Sequence, residues 1–73
     1  MKEIQRPLDL LNEMRNKPVI ASLNTGIQVS GILLAFDIHI NIVIDNATLI
    51  DQHGETKKIG RQFIRGDCIN YIC

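Results

Sequence analysis

A mostly β domain, one short N-terminal α-helix followed by a strongly bent five-stranded antiparallel sheet or partly open barrel, is the fold class this sequence predicts. Three observations carry that reading: an apolar period of 3.6 confined to the start of the chain, a change to period two after Pro18, and turn residues that cut the remainder into five short runs. The helix is expected over about residues 7–15. In RPLDLLNEMRNKP, Leu8, Leu11 and Met14 share a stripe with Leu10 beside it, while Asp9, Asn12, Glu13 and Arg15 lie elsewhere, so the stripe reads as a lid on a small core. Pro7 suits the first helical position, and Asn16-Lys17-Pro18 ends the helix because the residue before a proline is pushed toward extended geometry.

The strands follow as VIASLN, IQVSGILLAFD, NIVIDNATLID, KKIGRQFIR and CINYIC, with Thr25-Gly26 as the first turn and QHGET as a loop tip. Gly31 sits where alternation with Gln28 and Ser30 gives way to a run, Ile32 to Phe36, that is apolar on both faces. A strand bends there or lets another backbone approach. The edges are expected to be KKIGRQFIR and CINYIC, neither of them short or proline-protected. Pairing one copy's edge with the other edge of the next copy satisfies both, and such a head-to-tail contact closes into a ring when its rotation divides the circle.

Seventy-three residues make a single domain, 1–73, whose core is marginal by itself. Small chains add disulfides, a metal or partner subunits. Cys68 and Cys73, five apart in an expected strand, are separated by about 16 Å on opposite faces, beyond the roughly 4.4–6.8 Å that a disulfide spans. They are expected to be reduced, intracellular thiols. His39, His53, Cys68 and Cys73 share no metal-ligand spacing, so neither metal nor cofactor is expected. MKEIQRPLDLL has no long apolar stretch or small-residue cleavage site, and no apolar run of about 18 residues occurs, so the expectation is a soluble cytoplasmic protein with no membrane partner. Subunit association is left to complete the core. Net charge is zero, with 8 Lys+Arg against 8 Asp+Glu, so any nucleic-acid binding must be local.

One stretch breaks the strand logic. In AFDIHINIVID, residues 35–45, Asp37, His39 and Asn41 are two apart and begin on one side of an extended chain. Taken alone, such a trio reads as a turn-stabilising network or as a small polar site, and Arg65-Gly66-Asp67 alone reads as a hairpin turn. His53 reads as a solvated loop residue, with contact to RNA on the other face of a ring as the alternative. Lys57 and Lys58 read as a solvated strand start, and Tyr71 as packing at a subunit seam.

GILLAFDIHINIVIDNA, residues 31–47, resembles the first Sm motif of the Sm and like-Sm (Lsm) family, and IRGDCINYI, residues 64–72, resembles the second. Their order and separation fit that family. The likeness extends from about Arg6 to the end, with the first motif region over about 18–50 and the second over about 57–73. His39 and Asp67 are similar to the archaeal branch, whereas Cys68 stands where those relatives often carry asparagine and Arg61 where a smaller residue is usual. The resemblance implies the Sm fold, an SH3-like partly open barrel, assembled into rings commonly of seven identical subunits.

It also implies one uridine per subunit, bound near the central pore by His39, Asn41, Arg65 and Asp67 with Asp37 and Gly66 in support. The chemistry of each residue suits that role. The flat surfaces of His39 and Arg65 can sandwich an unpaired base, which is worth roughly 1–3 kcal/mol. The Asn41 amide offers the donor and acceptor that match uracil O4 and N3–H, provided its orientation is fixed, for which Asp37 is the candidate. Gly66 is expected to take the positive φ of a tight turn and to leave room for a base, and Asp67 to hold the turn or the Arg65 guanidinium. The function the resemblance implies is a ring that binds U-rich single-stranded RNA, a scaffold or chaperone in RNA processing with RNA-processing proteins as possible partners. The alternative is a ring-forming assembly module that binds protein partners without RNA specificity. An enzyme is not expected, since Ser22 and Ser30 have no matching His-Asp constellation and no glycine-rich phosphate loop occurs.

Overall fold

The computed structural model describes residues 7–73. Helix α1, Pro7–Met14, is followed by strands β1 (Pro18–Leu23), β2 (Gln28–Phe36), β3 (Ile42–Ile50), β4 (Thr56–Ile64) and β5 (Ile69–Ile72), with a 3-10 turn at Gly66–Cys68 before β5. The helix stops where expected, though Asn16 also contributes: it takes φ 65 and donates its N–H to the Leu33 carbonyl at 2.6 Å, tying the helix exit to β2. Among the described residues no helix is long and apolar enough to cross a membrane.

All five strands form one antiparallel sheet in the order β4-β3-β2-β1-β5, so β4 and β5 are its edges, as the sequence implied. The sheet is not closed. One expectation is corrected here: β5 is short, because Cys68 belongs to the 3-10 turn and pairing starts only at Ile69. The backbone of Cys73 extends that edge, exchanging both hydrogen bonds with Ile20 at 2.8 and 3.0 Å. Gly31 lies at a register shift between β2 and β3, and a methyl group there would overlap the Ile44 side chain and come within 2.6 Å of the Asp45 carbonyl. Close backbone approach, the second of the two roles foreseen for it, is what the position requires.

Among the described residues the core is a single cluster. Leu11 from the helix meets Val19 and Ala21 of β1, Val29 and Leu33 of β2, Ile42, Ile44 and Ala47 of β3 and Ile64 of β4, with Leu8 and Met14 packed against its margin. The helical stripe is therefore the lid that its spacing implied. Leu33, Ile42 and Ile44 are the largest wholly buried side chains. They fix the β2–β3 register down to Phe36 opposite Ile42, and Ile42 is in turn opposite Ile64. That double pairing sets the site, because the residues just beyond it are Asp37 to Asn41 on one hairpin and Arg65 to Asp67 on the next strand's exit.

Candidate nucleic-acid interface

The loop between β2 and β3 is a tight turn rather than an extension of either strand. Asp37 and Asn41 close it through Asp37 N–H to the Asn41 carbonyl at 3.1 Å, and Ile40 N–H donates to the Asp37 carbonyl at 3.1 Å. The three polar residues thus leave the common face that strand periodicity gave them and are regrouped by the turn. Asp37 organises it: one carboxylate oxygen accepts from His39 N–H at 2.8 Å and Asn41 N–H at 3.1 Å, and the other accepts from the Asn41 side-chain amide at 3.0 Å. The bond from the Asn41 side chain, joined by the two backbone N–H groups, holds the Asp37 carboxyl below its ordinary value of 3.8.

The Asn41 amide is held at its other end as well. Its Oδ1 accepts from Gly66 N–H at 2.7 Å, across 25 residues of sequence. With a donor on one side and a carboxylate on the other, only one amide orientation satisfies both partners. One amide N–H and one lone pair of Oδ1 then remain for a ligand. Asp37 therefore has the orienting role expected of it, and the Gly66 backbone supplies a second hold that the sequence reading did not foresee.

The expectation for Gly66 itself is corrected. It is not among the described residues with positive φ, which are Asn16, Ile40 and Asn46 together with Gly26, Gly54 and Gly60. The requirement is space: a methyl group at Gly66 would overlap the His39 carbonyl oxygen and lie 2.9–3.0 Å from the Ile40 carbonyl group. The room that glycine leaves is taken by the neighbouring loop, not kept for a base. The two loops touch there, backbone to backbone, and the 2.7 Å bond to Asn41 follows from that contact.

His39, Asn41, Arg65 and Asp67 line one open cleft of about 400 Å³. Arg65 and Asp67 form an ion pair at 3.3 Å on exposed side chains, which steadies the guanidinium plane without immobilising it. Cys68 leaves the turn intact: its N–H reaches the Arg65 carbonyl at 3.0 Å and its carbonyl accepts from Asn24 N–H at 2.8 Å. Arg61 lies apart from the cleft and pairs with Asp45 across β3 and β4 at 3.4–3.5 Å. Both cysteines are free, Cys68 half-buried and Cys73 exposed. Sequence reasoning missed Ile40, whose φ is 63, although the spacing of the turn residues contained a signal for it.

A helix-capped, open five-stranded sheet whose two motif loops are joined through one asparagine amide defines an Sm-type domain. The model of the LSM domain matches residues 9–73, and the chain belongs to that family, in its archaeal Sm-like form. A Pyrococcus furiosus protein described as snRNP Sm-like is 40% identical over 63 residues, which is 86% of this chain and 83% of the relative. The Pyrococcus abyssii Sm protein, solved in complex with a uridine heptamer, is 38% identical, with a TM-score of 0.87 over 93% of this chain and 96% of that one. The P. aerophilum SmAP1 heptamer is 27% identical, with a TM-score of 0.87 over 96% and 93% of the two chains.

Proposed function

We propose that this protein assembles into a closed ring of seven copies and binds U-rich single-stranded RNA, one uridine per subunit, as a non-enzymatic scaffold or chaperone in cytoplasmic RNA processing. The observation that carries the reading is the doubly held amide of Asn41, fixed by Gly66 N–H at 2.7 Å and by Asp37 at 3.0 Å. A fixed amide presents a donor and an acceptor in set places. Uracil offers O4 and N3–H to match them, whereas cytosine reverses the order of donor and acceptor at the same edge.

The base stacks between the His39 imidazole and the Arg65 guanidinium, two of the four residues that line the cleft. Asp67 keeps the guanidinium in range. With zero net charge there is no broad phosphate-binding field, so affinity comes from bases held repeatedly around the ring, where each further site adds through effective concentration. The ring is supported by the two open edges and by the large apolar groups on them: Phe63 of β4 is 63% exposed and Tyr71 of β5 is 55% exposed. Tyr71 at the seam between subunits fits that arrangement.

The test is native mass spectrometry with and without short oligo-U, beside a competition of oligo-U against oligo-A and oligo-C. A seven-subunit ion that takes up oligo-U in preference to both supports the proposal. A stable monomer at micromolar concentration overturns the assembly, and an assembled ring with no preference among the oligonucleotides overturns the RNA reading in favour of an assembly module for protein partners. Arg65→Ala removes a stacking surface and a charge from every subunit, and is expected to weaken oligo-U and oligo-C alike while flattening the dependence on salt.

A further inference from the structure

The chain contains the same turn twice. In the β3–β4 hairpin, Asp51 N–H bonds the Glu55 carbonyl at 3.0 Å and Gly54 N–H bonds the Asp51 carbonyl at 3.1 Å. Asp51 Oδ1 accepts from His53 N–H at 2.8 Å and Glu55 N–H at 3.0 Å. Each of these bonds has its counterpart in the β2–β3 loop, with Asp37 for Asp51, His39 for His53 and Asn41 for Glu55. Both turns place a left-handed residue before their last position. In the β3–β4 turn it is Gly54, φ 82, with nothing within 4 Å of where a side chain would start. In the β2–β3 turn it is Ile40, φ 63, a β-branched residue in a conformation such residues rarely adopt.

Glycine would make the β2–β3 turn without strain, as Gly54 does in its counterpart. What isoleucine adds is its side chain. Ile40 is half-buried against the core and, with Leu10, Leu11 and Met14 of α1 and Ile72 of β5, lines an open apolar groove of about 160 Å³. Its carbonyl group, together with that of His39, is also the backbone against which Gly66 is seated.

We propose that Ile40 is a positioning residue for uracil selection: its side chain anchors the base-reading turn to helix α1 and β5, and so fixes where Asn41 meets Gly66 N–H. Ile40 acts through Asn41. The inference rests on the uridine reading above for its consequence, but the anchoring itself is independent of RNA. Among the described residues the β3–β4 turn shows no such apolar anchor; beyond its own hydrogen bonds, its tip is tied by the Gln52 side-chain amide, which donates to the Thr25 carbonyl at 2.9 Å.

Full-length Ile40→Gly relaxes the turn and deletes the anchor, Ile40→Met keeps an unbranched apolar anchor, and Met14→Ala removes a helix-side wall of the groove. Two readouts are taken on rings whose assembly is checked: backbone hydrogen exchange of residues 37–41 and 64–68, and the ratio of oligo-U to oligo-C affinity. Ile40→Gly is expected to speed exchange in both segments at least about tenfold and to lower the ratio at least about fivefold. Met14→Ala should move both readouts in the same direction, and Ile40→Met should restore both to within about twofold of wild type. Wild-type exchange in both segments of Ile40→Gly overturns the anchor, whatever RNA does. Faster exchange with an unchanged ratio overturns the positioning role. A wild-type ring that shows no uridine preference overturns the RNA reading, while the exchange data still decide the anchor. If Ile40→Gly does not assemble, Met14→Ala decides: unchanged exchange and ratio overturn the proposal, and a fall in both supports it.

Discussion

Gly66→Ala is the sharpest perturbation of the site, because it adds one methyl group where backbone, not side chain, stands in the way. The new Cβ would overlap the His39 carbonyl oxygen and press on the Ile40 carbonyl carbon and oxygen at 2.9 and 3.0 Å. None of these atoms can swing aside. Gly66 does not have positive φ, so alanine meets no backbone penalty and the effect is steric. Forcing a methylene-sized group into packed atoms costs about 1–3 kcal/mol. Parting the loops also breaks the 2.7 Å bond from Gly66 N–H to Asn41, and a part-buried neutral hydrogen bond contributes about 1 kcal/mol.

The two effects together come to about 2–4 kcal/mol, which lowers Tm by at least about 8 °C for a chain of this size at fixed subunit concentration. Losing about 1 kcal/mol of orienting energy shifts the ratio of the two Asn41 amide orientations roughly fivefold. Oligo-U over oligo-C selectivity should fall by at least about that factor, read by competition anisotropy on assembled rings. Gly54→Ala is the control. It stands at φ 82 with open space around it, so it carries a backbone penalty alone and should lower Tm modestly while leaving selectivity unchanged. A Gly66→Ala ring that melts within about 2 °C of wild type and keeps its selectivity would refute the loop contact as the basis of the site.

Three further outcomes are expected. Asp37 has its folded pKa depressed below 3.8, so its contribution is complete above that value and is lost as pH falls through the lower folded value. The difference in Tm between wild type and Asp37→Asn should therefore be constant between about pH 7 and pH 5 and shrink below about pH 3.8; a difference that persists to lower pH would contradict it. Arg61→Ala removes an ion pair whose arginine side chain is 67% exposed, and should change Tm by less than about 2 °C without altering oligo-U affinity. Two thiols per chain should react under denaturing, non-reducing conditions, and in the native protein Cys73 should label faster than half-buried Cys68.

Features set by local chemistry were legible in the sequence. The helix limits followed from Pro7 and Pro18 and the strand spans from period two, whereas the pairing of β5 with β1, which leaves β4 and β5 as the edges, is not set by order along the chain. The polar cleft was legible through its two motifs, and Asp37 through the acceptor chemistry of a carboxylate. What escaped was contact between segments far apart in the chain. Nothing near Gly66 says that the His39 and Ile40 backbone lies against it, and a glycine in a short turn is more simply read as a source of positive φ. The start of β5 was misplaced for a related reason: Cys68 is apolar enough to read as strand, while its N–H is committed to the Arg65 carbonyl in a 3-10 turn. The left-handed backbone at Ile40 was legible only by laying DIHIN beside DQHGE and asking what replaced the glycine.

The central claim is that Asn41, held by Asp37 and Gly66, reads uracil. Asn41→Ala tests it most directly, with oligo-U and oligo-C affinities measured across a salt series on rings shown to be assembled. Removal of the amide while every charge is kept should narrow the preference for oligo-U over oligo-C at nearly unchanged salt slope. An assembled Asn41→Ala ring that prefers oligo-U as strongly as wild type would contradict the account.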